Sequence, residues 1–263
     1  MDFDRFLKEA APPLGLDWRK YRRRSARHRV EARMRGLGIA DFSRYLELIR
    51  SDAAEAAALP DLMRVTVSRF FRERACWDAL LRQVLPGMLR GRAQGEFSAW
   101  SAGCCGGEEP YSLAMVWLEN FSRDYPGISF GVTATDIDGE SLARARRGAY
   151  GKGSLREVPA AMIDKYFLPE NGLFRIRDEV RALVRFEERN LLSDPPPKGI
   201  DLLLCRYLVF TYYKGGRLDA AVRRLKDALS PAGVLMAGLK EEKNIPEGLS
   251  RLEEGRCFYR FGD

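Results

Sequence analysis

The sequence predicts an α/β protein: a mostly parallel sheet with helices on both faces, preceded by an all-helical portion. Three observations lead there. Short apolar or β-branched runs at Phe97–Ser101, Ser129–Thr135, Leu202–Cys205 and Val234–Ala237 alternate with helical stretches at Tyr111–Phe121, Gly139–Arg147 and Gly216–Leu229. That alternation builds a parallel sheet covered on both sides. A turn of small residues, Gly103-Cys104-Cys105-Gly106-Gly107, joins the first strand-like run to the first of these helices. Ahead of it, roughly 90 residues show helical spacing and no strand-like alternation.

Taken in order, Phe3, Phe6 and Leu7 have helical spacing, and Pro12-Pro13 stops that helix. Asp17 is the expected N-cap of a basic helix that ends near Gly36-Leu37-Gly38. Asp41 caps the next helix, with Phe42, Tyr45, Leu46 and Ile49 on one face. Leu59–Phe71 follows, broken at Pro60, and Cys76–Leu89 reads as a connecting helix. Strands and helices alternate after Gly95. Between Tyr166 and Asn190 the pattern breaks: Leu173–Ile176 and Leu183–Glu187 read as a small antiparallel excursion around Asn171-Gly172. Asp194-Pro195-Pro196-Pro197 is a rigid linker into the strand at Asp201. The expected division is a helical domain (1–74), a connecting helix (75–95) and an α/β domain (96–263) with a β-subdomain near 166–190.

Composition narrows the function. At 263 residues and 46% apolar, the chain is globular, one large domain or two small ones. No apolar run approaches the ~20 residues that span a bilayer. Met1–Ala11 is amphipathic, without the apolar core of a signal peptide, so a cytoplasmic address is expected. The five cysteines form no C-x-x-C pair, and reduced, buried or turn cysteines are expected. The single histidine, His28, lies among arginines, which argues against a zinc site and against histidine base catalysis. Between Arg19 and Arg35, nine Lys/Arg face one acid, Glu31, while the whole chain carries +7. That segment is either a solvated helix face or a dock for something acidic: a protein surface, nucleic acid or a membrane. It lacks the Trp/Phe/Leu face of a membrane-surface helix.

The turn at 103–107 carries the chemistry. Glycine is used where backbone approaches something closely or takes φ > 0, and such turns bind nucleotides in α/β proteins. Here Glu108 and Glu109 occupy the helix start where a phosphate would otherwise sit. The pair favours a cationic, hydroxyl-bearing nucleoside such as S-adenosylmethionine (SAM). Asp136, at the end of the second strand, is placed to accept both ribose hydroxyls, and Asp138 reads as a helix N-cap. Asn190-Leu191, at a later strand end, is placed to meet an adenine edge.

These segments together resemble the CheR family of chemotaxis-receptor glutamate methyltransferases over roughly Leu16 to Phe261. Arg33-Met34-Arg35-Gly36-Leu37-Gly38 with Asp41-Phe42 and Tyr45-Leu46 is similar to its N-terminal helical domain. Phe70-Phe71-Arg72-Glu73 matches its F-F-R-[DE] motif, and Trp100-Ser101-Ala102 with Gly107-Glu108-Glu109-Pro110-Tyr111-Ser112 its W-S-A…G-E-E-P-Y-S motif. Ala134-Thr135-Asp136-Ile137-Asp138, Ala143-Arg144, Gly148-Ala149-Tyr150, Asn190-Leu191, Cys205-Arg206 and Leu229-Ser230-Pro231-Ala232-Gly233 follow in the family's order.

The resemblance implies a Rossmann-like SAM-dependent methyltransferase domain with a β-subdomain behind an all-helical domain. It implies methyl transfer from SAM to a protein glutamate, with S-adenosylhomocysteine as product and no metal. Thr66, Ser68, Arg72, Gly103, Glu108, Glu109, Asp136, Asn190, Leu191, Arg206 and Tyr207 are the expected SAM-binding residues; Arg72, Arg206 and Tyr207 are the expected catalytic ones. Phe70 and Phe71 are expected to be core residues holding Arg72. The expected partner is the acidic helical signalling domain of a chemoreceptor-like protein, met by the basic helix Arg19–Arg35, with the enzyme a monomer and no stable nucleic-acid complex. The short Leu168–Gly172 segment implies that no receptor-tail pentapeptide is gripped. Departures fall near the cleft: Val65-Thr66-Val67-Ser68-Arg69 replaces T-T-N-x-[ST], Tyr207 replaces the Asn of C-R-N, Gly238-Leu239-Lys240-Glu241 replaces G-H-S-E, and Cys104-Cys105-Gly106 replaces smaller polar residues. They leave open a different acceptor, a small-molecule carboxylate or nucleic acid, and a non-catalytic SAM-binding module that docks on receptors.

Overall fold

A computed structural model describes residues 1–64, 66 and 68–262; Val65 and Val67, two members of the run before Phe70, lie outside the described residues with Asp263. The chain forms two compact units, Met1–Thr66 with Leu208–Val222, and Val67–Tyr207 with Arg223–Asp263. The first therefore takes in a segment, 208–222, that lies far along the chain.

In the first unit, α1 (Phe3–Ala10) starts at Asp2, whose carboxylate accepts the Arg5 N–H at 2.8 Å. Asp17 caps a 3₁₀ turn, Trp18–Tyr21, rather than the basic helix. That helix, α2 (Arg24–Gly36), begins only after the non-helical Arg22 and Arg23. Asp41 caps α3 (Phe42–Ser51) by accepting the Ser43 and Arg44 N–H groups. Helix α4 (Ala53–Leu62) contains Pro60 instead of breaking there; it ends two residues later, so the missing donor costs one bond in the last turn. Phe3, Phe6, Phe42 and Tyr45 build the aromatic core, with Phe6 and Phe42 ring centroids 5.2 Å apart.

In the second unit, α5 (Arg74–Ala79), a π turn (Leu80–Val84) and α6 (Leu85–Leu89) follow one another without a gap. Pro86 has no N–H to give the preceding turn, a sufficient cause for the shifted ladder. Then come β1 (Gly95–Ala102), α7 (Glu108–Asn120), β2 (Ile128–Asp136), α8 (Gly139–Arg147), β3 (Ala149–Tyr150), α9 (Ala160–Tyr166), β4 (Phe167–Glu170), β5 (Leu173–Ile176), α10 (Asp178–Arg181), β6 (Val184–Glu188) and β7 (Ile200–Leu204). After α11 (Val209–Tyr212) and α12 (Gly215–Ala228), the chain closes with β8 (Leu229–Met236), β9 (Leu249–Arg251) and β10 (Phe258–Phe261).

Among the described residues the main sheet runs β6-β2-β1-β7-β8-β10-β9. Its first five strands are mutually parallel, and β10 runs antiparallel to both its neighbours, β8 and β9. The core packs α7 against this sheet: Trp117 stacks on Phe130 at 4.4 Å and 6° and on Phe97 at 5.9 Å. The small antiparallel sheet is β3-β5-β4. The run at 183–187 does not belong to it. Val184–Glu188 pairs in parallel with Val132–Asp136 and extends the main sheet, because Phe186 packs on Tyr111 of α7 with ring centroids 5.4 Å apart. A second correction concerns cysteine: Cys76 and Cys257, both buried and with Cα atoms 6.0 Å apart, form a disulfide, while Cys104, Cys105 and Cys205 are free. A pairing across 181 residues leaves no trace in local spacing.

Candidate active site

β1 has β2 on one side and β7 on the other, so the sheet order reverses beside it. The crevice outside the carboxyl ends of such strands is where α/β proteins bind ligands. Three chain segments converge there: the turn after β1, Asp136 at the end of β2, and Cys205-Arg206-Tyr207 after β7.

The turn is tied down by backbone. The Gly103 and Cys104 N–H groups donate to the Thr135 carbonyl at 2.8 and 2.9 Å, and the Trp100 indole donates to the Thr135 hydroxyl at 2.9 Å. Cys105, at φ 52°, donates its N–H to Asp136 Oδ2 at 2.8 Å. At Gly106 the Arg144 guanidinium comes so close that an added Cβ would lie 2.3 Å from it, so a side chain there would displace the guanidinium. Its carbonyl accepts the Tyr150 hydroxyl at 2.6 Å. The other Asp136 oxygen accepts the Asp138 N–H at 2.9 Å. Asp136 thus fixes both sides of the crevice and stays half-buried at its mouth. Asp138 stands at the N-cap of α8, but its carboxylate takes the Ser141 hydroxyl at 2.6 Å rather than a backbone N–H.

Glu108 and Glu109 open α7 and point to different partners. Glu108 is 3% exposed. Burial pushes its carboxyl above the ordinary value, against the Arg144 charge and a hydrogen bond with Ser68. Its Oε2 is buried and has no hydrogen-bond partner among the described residues, and a buried acceptor without a donor costs free energy. Glu109 accepts the Ser101 hydroxyl at 2.8 Å and an Arg206 N–H at 3.4 Å. Burial raises it too, opposed first by Arg206.

A second cluster surrounds Arg72. The Phe70 ring packs edge-on against Tyr150 and Phe167, and the Phe71 N–H donates to the Ser112 hydroxyl at 3.0 Å, so both phenylalanines anchor the segment in the core. The Arg72 carbonyl accepts from Trp77 Nε1 at 3.0 Å and Arg206 Nη2 at 2.5 Å. Arg206, with a side chain 3% exposed, also bonds Glu73 at 2.9 Å. The Arg72 guanidinium lies 3.8 Å over the Tyr207 ring, whose hydroxyl donates to Glu73. Burial works against ionisation of Glu73, but hydrogen bonds from Tyr207, Leu239 and Arg206 hold it below the usual carboxylate range.

Asn190 and Leu191 follow β6. The Asn190 side-chain oxygen accepts the Leu192 N–H at 2.9 Å, and its own N–H goes to Asp194 at 2.8 Å. The loop is tied to β2 by the Arg189 N–H on the Asp136 carbonyl at 2.9 Å. Thr66 is an exposed residue of the first unit. The second unit thus joins Ser68, Arg72, Gly103, Glu108, Glu109, Asp136, Arg206 and Tyr207 through the contacts above. Sequence reasoning passed over Glu73, Arg144, Tyr150 and Glu241. Glu73 and Glu241 end short motifs, F-F-R-[DE] and G-x-x-E, which was the available signal.

In the first unit, two of the basic residues are held by contacts within the fold. Arg33 bonds buried Glu55 at 3.0 and 2.6 Å, shared with the Tyr45 hydroxyl at 2.6 Å. Arg29 holds the Leu62 carbonyl at 2.7 Å. Arg19, Lys20, Arg23, Arg24 and Arg35 are exposed. Among the described residues no helix is long and apolar enough to cross a membrane.

This geometry suits a cationic nucleoside: buried carboxylates at the turn, a carboxylate at the end of β2, and a guanidinium nearby. Comparison with known proteins agrees. Residues 66–254 match the family model "CheR methyltransferase, SAM binding domain", and residues 1–63 match "CheR methyltransferase, all-alpha domain". A chemotaxis protein methyltransferase of Listeria monocytogenes is 30% identical over 98% of this chain and 96% of its own. One from Salmonella typhimurium is 32% identical over 86% of this chain and 78% of its own. A 104.1 kDa protein of Rhodobacter capsulatus is 31% identical over 84% of this chain, which spans only 23% of that protein's length.

Proposed function

The chain belongs to the CheR methyltransferase family, and we propose that this SAM-dependent methyltransferase esterifies a glutamate side chain on the acidic helical signalling domain of a chemoreceptor-like protein. The observation that carries the reading is the buried Glu108 oxygen at the start of α7, which has no hydrogen-bond partner among the described residues. A buried anion without a donor fits the ammonium group of SAM. The residues fit the rest of that molecule: Asp136 for the ribose hydroxyls, Asn190-Leu191 for the adenine edge, and Arg72 for the methionine carboxylate. SAM supplies the electrophilic methyl group.

The acceptor glutamate is already ionised near neutral pH, so displacement at the sulfonium methyl needs no base. That suits a chain whose only histidine, His28, lies in the basic segment. What the protein contributes is alignment and a site with little water. Arg206, spent on the Arg72 carbonyl, Glu73 and Glu109, holds the Arg72 segment against the carboxylate end of α7.

The exposed arginines of the 19–35 segment suit an acidic helical surface, and the enzyme is proposed to act in the cytoplasm as a monomer that meets its substrate without a receptor-tail tether. Calorimetry with SAM and S-adenosylhomocysteine tests the reading. Saturable binding below millimolar concentration is expected; its absence for both ligands would sink it.

A further inference from the structure

Tyr207 has no glycine's licence for its backbone, yet it sits at φ 58°, where L-residues with a Cβ are strained. What holds it there is visible. Glu241, 1% exposed, accepts the N–H of Tyr207 and the N–H of Gly238, each at 2.8 Å. Glu73 accepts the Tyr207 hydroxyl and, at 3.0 Å, the Leu239 N–H. Gly238 crowds the ring so closely that a Cβ would come within 2.7 Å of it. Two carboxylates and one glycine therefore clamp this ring at its backbone, its hydroxyl and its edge.

The clamped ring carries the Arg72 guanidinium at 3.8 Å, and a cation over an aromatic face is attracted to it. Arg72 stands between two other left-handed residues, Phe71 at φ 51° and Glu73 at φ 63°. Its backbone is fixed by Trp77 and Arg206, and its side chain lies over the ring within electrostatic reach of Glu109.

We propose that Tyr207 is a positioning residue: clamped by Glu73 and Glu241, its ring is the platform that fixes the Arg72 guanidinium in the SAM site. The proposal rests on the reading of Arg72 as the partner of the SAM carboxylate. It makes Tyr207, standing where the family pattern has Asn, a substitute that holds the arginine by stacking.

The test is calorimetry of S-adenosylhomocysteine on wild type, Tyr207→Phe, Tyr207→Leu, Arg72→Ala and the two Tyr207 variants in the Arg72→Ala background, with thermal unfolding of each. Tyr207→Leu, which removes the platform, is expected to weaken binding about tenfold, and Tyr207→Phe, which keeps the ring but frees it from Glu73, about threefold. With Arg72 already removed, both changes should alter affinity by less than about twofold, since coupled residues do not add. Equal losses in both backgrounds would overturn the proposal, as would an unaltered affinity in a folded Tyr207→Leu protein. If Tyr207→Leu does not fold, the Tyr207→Phe pair decides by the same comparison. Failure of wild type to bind would instead defeat the SAM-site reading on which the proposal stands.

Discussion

Glu108 and Glu109 are adjacent in sequence but not in chemistry. Glu109 has Ser101 and Arg206 for partners, whereas one Glu108 oxygen has none among the described residues. A carboxyl raised by burial contributes stability that is fully present below its ordinary value of 4.5 and is lost as pH rises through the raised value. Glu108→Gln should therefore unfold at a higher temperature than wild type at pH 7.5 and show little difference near pH 4. The same variant should bind S-adenosylhomocysteine more weakly by about 1–3 kcal/mol, the loss of one charged hydrogen-bond partner. Destabilisation at pH 7.5 would show that the carboxylate is needed by the fold rather than by the ligand. Glu73 has the opposite sign: its stabilisation is present above 4.5 and is lost as pH falls through its lowered value. The carboxylates of the glycine turn were legible because their partners are local or set by strand order. The Glu73 network was not, since it joins residues 133 and 166 positions apart.

At the scale of elements, period and turn chemistry located the first strands and α7, because a buried parallel strand is a short apolar run between turn residues. They failed where tertiary pairing decides. Val184–Glu188 looks locally like the second arm of a hairpin, yet it pairs with β2, with Phe186 against α7. The strands β9 and β10 are three and four residues long, too short for alternation to register. Pro60 misled for a related reason: a proline near a helix end costs little. The sheet itself depends on α7 covering it. Trp117→Ala removes the ring stacked on Phe130 and should cost about 3–5 kcal/mol, the usual loss for a large aromatic in a core. Denaturant unfolding checks this, and a loss under about 1 kcal/mol would mean that the stack is replaceable.

For the whole molecule, the family motifs were legible and the disulfide was not. In unfolded, unreduced protein, thiol titration should count three groups, Cys104, Cys105 and Cys205, and five after reduction. Five before reduction would refute the Cys76–Cys257 bond. The exposed arginines of the 19–35 segment make a further prediction: Arg23→Glu with Arg24→Glu should raise the KM for a protein acceptor, more at low salt than at high, while S-adenosylhomocysteine affinity stays at the wild-type value. The central claim is carboxyl methylation, and one measurement addresses it most directly. Protein incubated with methyl-labelled SAM and a bacterial membrane extract containing chemoreceptors should label a protein acceptor, and mild base should release that label as volatile methanol. The release should vanish with Asp136→Ala. Label that resists base, or none from an enzyme that binds S-adenosylhomocysteine, would contradict the account.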